Sequence, residues 1–170
     1  MDTVAACREV LIEPLTPEAF AAFGTVILPT DDGVALGAGD ARIDLSQGTP
    51  RFYAMRIPGR GFTVTRITRH RQVTQVLASA GGKCWVMGVA PPRAIDDPSI
   101  EPDIEDIRAF AIPGDVAIML HKGTWHAGPL FAEGTKESFF NLELSDTNKV
   151  DHQTCDLSAR YGLALKLVRA

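Results

Sequence analysis

The stretch that decides the fold of this 170-residue chain is PGDVAIMLHKGTWHAGPL, residues 113–130. It opens on the turn pair Pro113-Gly114, continues as an apolar run over Val116–Leu120, and turns again at Gly123. Short apolar runs bounded by glycine and proline are typical of β-strands. The polar side chain of His126 follows the second turn, where a separate strand would begin. The stretch therefore predicts two strands, with a candidate functional residue on the second.

The same pattern of short runs and turns continues through most of the chain. Further strands are predicted over residues 51–57, 62–67, 73–78, 83–89, 109–112 and 139–144. Strands of this length and spacing favour a mainly β, antiparallel sandwich or barrel over the long helices of a parallel α/β sheet. One short N-terminal helix is predicted, with Thr16 as its cap, Pro17 at its first position and Gly24 as its stop.

Composition and charge narrow the class of protein. With 45% hydrophobic and 22% charged residues in 18.3 kDa, the chain is expected to form one globular domain over residues 1–170. A net charge of −4 without a basic stripe argues against a nucleic-acid partner. No apolar run is long enough for a bilayer, and the charges within Met1–Val10 argue against a leader peptide. We therefore expect a soluble, cytoplasmic protein.

The three cysteines, Cys7, Cys84 and Cys155, are far apart and form no Cys-x-x-Cys pair. This spacing indicates neither a disulfide framework nor a thiolate zinc site. Cys84 lies in an apolar run and is expected to be buried and inert.

Two segments with histidines are candidates for a site. In a regular strand His70 and Gln72 would share one face, whereas Gln75 would require a bend or a bulge to join them. His126 would arrive from a separate strand. Polar side chains that converge from two strands inside a small barrel are a common way to build a binding site.

These segments resemble the two signatures of the cupin fold. The spacing from His70 through Gln72 and Gln75 to Gly82 is similar to the first signature, and Gly123-x-x-His126 is similar to the second. Glutamine occupies two positions where that signature has stronger ligands, and neutral amides bind metals poorly. On spacing alone, a metal-free or weakly metal-binding barrel is expected.

A closer resemblance, to the ureidoglycolate lyase family, covers most of the chain. It rests on collinear motifs: Leu15–Phe20 with Phe23–Ile27, Arg69-His70 with Thr74-Gln75, Ile107–Phe110, Lys122–His126 with Pro129–Phe131, and Cys155-Asp156. The resemblance implies a cupin-like β-barrel, usually a homodimer. It also implies a carbon–nitrogen lyase of the amidine-lyase type, which splits ureidoglycolate into glyoxylate and urea in allantoin degradation, a part of purine metabolism.

The resemblance also suggests roles for particular residues. His126, His70 and Gln75 are the candidate catalytic residues; the histidines would transfer protons, and Gln75 would orient the urea group. The same three would be the ligands if a divalent metal, Ni²⁺ by resemblance, is bound. Arg69 and Lys122 are candidate clamps for the substrate carboxylate, and Trp125 is a candidate substrate contact. Each also has an ordinary structural interpretation: packing, a strand hydrogen bond or a solvated charge.

Three positions depart from the family pattern. Thr68 stands where the family usually has Glu, Arg71 where it has Pro, and Ala127 where it often has a second His. These losses leave open an alternative, a cupin-like enzyme or a non-catalytic binding protein for another small hydroxy or ureido acid.

Four other polar residues have weaker claims to a place in the site. Glu143 and Asp146 are predicted either to approach the barrel mouth and replace the missing carboxylate, or to be surface charges. His121 is expected in a turn and His152 in an exposed tail.

Overall fold

The computed structural model describes residues 6–170. Met1–Ala5, the first half of the segment in which no leader peptide is expected, lie outside the described residues. The strands are β1 (Ala6–Pro14), β2 (Gly24–Ile27), β3 (Pro50–Pro58), β4 (Thr63–Val64), β5 (Arg66–Arg69), β6 (Gln75–Ser79), β7 (Trp85–Ala90), β8 (Arg108–Ile112), β9 (Ala117–Leu120), β10 (Trp125–Leu130), β11 (Lys136–Leu144), β12 (Gln153–Asp156) and β13 (Leu163–Val168). The helices are α1 (Pro17–Phe20), α2 (Thr147–Val150) and α3 (Leu157–Tyr161), with a 3₁₀ turn at Ile104–Asp106. The expectation of a mainly β, cupin-like fold with a short N-terminal helix is confirmed.

The strands form two sheets. The larger has the order β12–β5–β10–β7–β8–β1–β13–β4, and the smaller has the order β2–β9–β6–β11–β3. One buried apolar cluster takes Leu77 and Phe139 from the smaller sheet and Trp85 and Phe110 from the larger. The two sheets therefore face each other across a shared core, and the space between them is where a site can form.

The strand β1 departs from the antiparallel expectation. It runs parallel to β13 along Ala6–Leu11 and parallel to β8 along Ile12–Pro14. Two charged residues of β1 form ion pairs: Arg8 with Glu105 and Glu13 with Arg108, each at 2.5 Å. Val10 and Ile12 are half-buried, whereas Glu9 and Leu11 are exposed, so β1 packs one of its faces on the protein. None of the helices in residues 6–170 has the length and apolar character required to cross a membrane.

The N-terminal helix α1 forms as expected at its start but not at its end. The Thr16 hydroxyl accepts a hydrogen bond from the Ala19 amide at 3.1 Å, and Phe20 packs against Phe110 with ring centroids 5.4 Å apart. Gly24 does not stop the helix but begins β2. A Cβ added there would lie 1.8 Å from the Met119 carbonyl oxygen, so Gly24 is required for the close approach of β2 to β9.

Strand boundaries around the site also differ from the prediction. The run 62–67 divides into β4 and β5, and the predicted strand 73–78 begins only at Gln75. The residues between His70 and Thr74 therefore form a bend and not a continuous strand. Cys84 is exposed, so its predicted burial is wrong, whereas Cys155 is buried.

The contact of β2 with β9 generates a prediction about stability. Gly24→Ala should lower the free energy of unfolding by roughly 2–3 kcal/mol, because the new methyl group overlaps backbone atoms that cannot move away. Urea denaturation measures the change. Gly81→Ala is the matched control, since an added Cβ there meets nothing within 4 Å. Equal stability of the two variants would contradict the close approach.

Candidate active site

A cavity of about 610 Å³ lies between the two sheets, and His70, Gln75 and His126 all line it. The structure therefore brings together the three residues that the sequence singled out. Their catalytic roles stay predictions, but they share one chamber. Gln72 does not line the cavity and is exposed, because the strand ends before it.

His70 directly follows β5, on the face of that strand that also carries Arg66 and Thr68. Its Nδ1 lies 2.6 Å from the carbonyl oxygen of Asp151. The Asp151 carboxylate accepts the backbone N–H groups of Arg71 and Gln72, each at 2.8 Å. Asp151 thus holds the bend after His70 and fixes the imidazole at the same time.

A second contact ties the two histidine segments together. Gly123 has a φ of +81° and donates its backbone N–H to the His70 carbonyl oxygen at 2.7 Å. Only glycine adopts this backbone conformation without strain. A Cβ on Gly123 would also lie 2.9 Å from Ile95 Cγ1. The turn that precedes β10 is therefore locked against the His70 bend.

His126 lies on β10 opposite Thr68 of β5, and its Nδ1 is 3.2 Å from the Thr124 carbonyl oxygen. Burial, together with the nearby His70, lowers the pKa of His126 to about 3. Burial also lowers the pKa of His70, although the Asp151 carbonyl oxygen and the charge of Glu143 oppose this shift.

The two imidazoles form a pair of proton acceptors. Their ring centroids are 5.1 Å apart. A carbonyl oxygen can only accept, so each Nδ1 carries the proton of the neutral ring and each Nε2 keeps a lone pair. Near neutral pH the rings of His70 and His126 are therefore both neutral.

The smaller sheet supplies a buried polar cluster on the opposite wall. Gln75 Nε2 donates to Asn141 Oδ1 and to Glu143 Oε2, both at 3.1 Å. The Tyr53 hydroxyl donates to Glu143 Oε1 at 3.1 Å and accepts from Asn141 Nδ2 at 3.2 Å. Burial and the charge of Glu143 raise the pKa of Tyr53. Of the two possibilities left open for Glu143, the structure shows the cavity position. Asp146 is exposed.

Several cavity residues were missed or misplaced by the sequence analysis. His152 is exposed as predicted, but it lines the cavity with its ring centroid 5.6 Å from that of His70. Arg60 and Arg66 also line the cavity. Arg66 is on the same strand face as His70, a spacing of four that the two-residue repeat of a strand would have indicated.

Arg69 and Trp125 do not line the cavity, which corrects two of the predicted substrate contacts. Both are fully buried, and the Arg69 guanidinium lies 4.8 Å from the centre of a Trp125 ring. Arg69 also donates to Gln153 Oε1 at 2.8 Å and to the carbonyl oxygens of Arg93 and Asp97 at 2.7 and 2.8 Å. These bonds leave it in a structural position outside the cavity.

Lys122, the other predicted carboxylate clamp, does not line the cavity either. Its ammonium group pairs with Asp44, and this bond holds the pKa of that carboxyl well below its ordinary value. Arg71 donates to the Ile95 carbonyl oxygen at 3.0 Å. Both side chains therefore brace loops around the site.

The donor set does not fit the divalent metal that the resemblance to the ureidoglycolate lyase family suggested. Within residues 6–170, no group of three or more His, Cys, Asp or Glu side chains is placed to hold a metal ion. His70 and His126 supply two imidazoles, and the third predicted ligand, Gln75, could offer only a neutral amide oxygen, which is a poor ligand beside imidazole or carboxylate.

Comparison with known proteins agrees with this architecture. A family model described as ureidoglycolate lyase matches residues 31–162. A ureidoglycolate lyase from Burkholderia mallei (strain NCTC 10229) is 33% identical over 144 residues, covering 78% of this chain and 80% of that protein. One from Pseudomonas savastanoi pv. phaseolicola is 32% identical over 152 residues, covering 81% and 84%. The chain belongs to the ureidoglycolate lyase family.

Two of the positions at which this chain departs from the usual pattern of the ureidoglycolate lyase family, Thr68 and Ala127, line the cavity. Thr68 faces the cavity and shares a 2.9 Å hydrogen bond with Thr154, so no carboxylate stands there. Glu143 supplies a carboxylate from β11. Ala127 also lines the cavity, and His152 supplies an additional imidazole from the segment before β12. A carboxylate and a further imidazole thus line the cavity at other positions.

The buried imidazoles predict how stability depends on pH. In the unfolded chain His126 binds a proton near its ordinary pKa of about 6.5, whereas in the folded chain it stays neutral down to about pH 3. Between these values the unfolded state binds more protons. The contribution of His126 to the free energy of unfolding should therefore be fully present above about pH 6.5. It should fall by about 1.4 kcal/mol for each pH unit below that value.

Urea titrations at pH 7, 6, 5 and 4 measure this slope. His126→Gln should show a shallower slope than the wild type, and His121→Gln should leave it unchanged. A slope that is the same in all three proteins would contradict the burial of a neutral His126.

Proposed function

We propose that this chain cleaves ureidoglycolate into glyoxylate and urea, as a step of allantoin breakdown. The observation that carries the proposal is the pair of neutral imidazoles facing one polar cavity in a member of the ureidoglycolate lyase family. The substrate is a small molecule with a hydroxyl group and a ureido nitrogen on one carbon, next to a carboxylate. Its cleavage moves one proton from oxygen to nitrogen.

In this proposal His70 is the group that moves the proton. Its Nε2 takes the hydroxyl proton while the carbon–oxygen double bond forms and the carbon–nitrogen bond breaks, with the electron pair going to nitrogen. The resulting imidazolium then protonates the departing urea nitrogen. Burial lowers the pKa of His70, and the Asp151 carbonyl oxygen at 2.6 Å and the charge of Glu143 oppose this shift by favouring the protonated form.

His126 has a different part in the same step. Its strongly lowered pKa makes it a poor carrier of a proton, but its Nε2 remains a hydrogen-bond acceptor. We assign it to the inner ureido N–H of the substrate, which holds the breaking bond beside His70. This division of roles follows from environments that separate the two pKa values.

The substrate carboxylate requires a cation, and two arginines of the cavity wall can supply it. Arg66 is largely exposed and pairs with Asp156 only loosely, at 3.4 Å. An exposed ion pair of this kind is worth little, so the guanidinium can exchange partners. Arg66 and Arg60 together bind the substrate carboxylate, the role that was predicted for Arg69 and Lys122.

We also propose that the protein is cytoplasmic, as its composition led us to expect, and that it is a homodimer, as the family resemblance implies. The proposal is supported by β3, a nine-residue strand at the edge of the smaller sheet. Phe52 on β3 is 69% exposed and stacks with Phe140 at 5.6 Å, an apolar pair that a second copy could cover.

The activity is tested by following glyoxylate and urea release from racemic ureidoglycolate. His70→Ala and His126→Ala should each lower kcat/KM by roughly 10²–10⁴-fold, because each removes a group that acts on the reacting atoms. His121→Ala, which changes a histidine outside the cavity, is the control. Enzyme treated with a chelator should keep its activity.

Two results would count against the account. No release above the uncatalysed rate, with or without divalent metals, would exclude the activity and favour another small hydroxy or ureido acid as the ligand. Activity that a chelator abolishes and a metal restores would overturn the metal-free mechanism.

A further inference from the structure

The two walls of the cavity differ in charge and in hydrogen-bonding character. The wall from the smaller sheet carries Gln75, Asn141 and Glu143, which we call the amide wall. The wall from the larger sheet carries Arg66 and His126. A substrate that has a carboxylate at one end and a neutral group at the other would therefore meet two unlike surfaces.

Glu143 of the amide wall is a buried carboxylate that uses only part of its hydrogen-bonding capacity. It is 2% exposed, and its two oxygens accept one hydrogen bond each, from Tyr53 and from Gln75. Within residues 6–170 it forms no ion pair with Lys, Arg or His. A carboxylate accepts about four hydrogen bonds, so this buried group retains unused acceptor capacity.

Gln75 adds a second acceptor to the same wall. Its orientation is fixed, because a carboxylate accepts only and Glu143 must therefore face the amide nitrogen of Gln75. Gln75 Oε1 is then left buried with no hydrogen-bond partner in the described part of the chain. An unpartnered buried acceptor of this kind costs about 1–3 kcal/mol unless a ligand supplies a donor.

We propose that the amide wall recognises the ureido group of the substrate, whose carboxylate points to Arg60 and Arg66. This inference rests on the proposed function. A ureido group ends in an NH₂ with two hydrogens to donate, which matches the free acceptor sites of Glu143 and Gln75. A carboxylate ligand in that position would instead place two like charges together without an intervening cation.

This orientation explains why a hydroxy acid that lacks a ureido group would bind less tightly. Such a ligand leaves both acceptors of the amide wall unsatisfied, and a site built to receive N–H donors rejects ligands that lack them. Glu143 is thereby a specificity-determining residue, and Asn141 is a positioning residue that holds Gln75 and Tyr53.

Calorimetric binding of two unreactive probes tests the orientation. N-carbamoylglycine has the ureido group and the carboxylate but no hydroxyl, whereas glycolate has the carboxylate and no ureido group. Glu143→Gln should weaken N-carbamoylglycine roughly tenfold or more, as expected for the loss of hydrogen bonds to a charged acceptor. It should leave glycolate within about twofold of the wild type, because glycolate does not use this wall.

Further variants complete the comparison. Arg66→Gln should weaken both probes by a similar factor, since both carry the carboxylate. Gln75→Met should weaken the binding of N-carbamoylglycine but not that of glycolate. This variant replaces Glu143→Gln in the test if Glu143→Gln does not fold. Glu137→Gln is the matched control, because it removes the same charge from the same strand outside the cavity.

The outcomes separate this inference from the proposed activity. If Glu143→Gln weakens both probes equally or neither, or if wild-type protein binds neither probe, the orientation is wrong even when ureidoglycolate is cleaved. If the wild type cleaves no ureidoglycolate but shows the expected pattern of binding, the activity is wrong and the ureido-binding wall stands.

Discussion

The buried guanidinium of Arg69 is the interaction on which the arrangement of the site depends. It stacks on Trp125 and donates to Gln153 and to two backbone carbonyl oxygens, so four parts of the chain meet at one side chain. Neighbouring residues at a strand point to opposite faces. With Arg69 and Trp125 fixed on one face, His70 and His126 are directed to the other, into the cavity. In each of the pairs Arg69-His70 and Trp125-His126, the first residue is therefore buried outside the cavity and the second lines it.

The site could be predicted from the sequence where local rules apply. The turn at Gly123 indicated that His126 comes from a separate strand, and the bend required for Gln75 is present. The period of two also paired Gln72 with His70, but Gln72 lies outside the cavity. The polar residues Asn141 and Glu143 on β11 followed the same rule. Their alternation with apolar neighbours was the signal, but one sequence does not show which face of a strand is covered.

Contacts between distant segments could not be predicted. Asp151 lies 81 residues from His70, and it holds both the imidazole and the bend through its carbonyl oxygen and carboxylate. His152 follows it into the cavity, although the local sequence is typical of an exposed tail. Arg69 and Lys122 have the residue types of an anion clamp, yet partners from remote loops hold both outside the cavity. The sequence shows that these two side chains are charged, but the fold determines which groups they pair with.

The chemistry follows from placing unlike groups in one closed space. In the proposed chemistry His70 accepts a proton and His126 accepts a hydrogen bond on one side. Glu143 and Gln75 accept N–H donors on the other side, and Arg60 and Arg66 attract an anion. A crystal structure with N-carbamoylglycine tests this arrangement most directly. The account predicts ureido nitrogens about 3 Å from the Glu143 carboxylate, with the ligand carboxylate beside Arg60 or Arg66 and the central carbon next to His70. A ligand bound in the reverse direction, or outside the cavity, would contradict it.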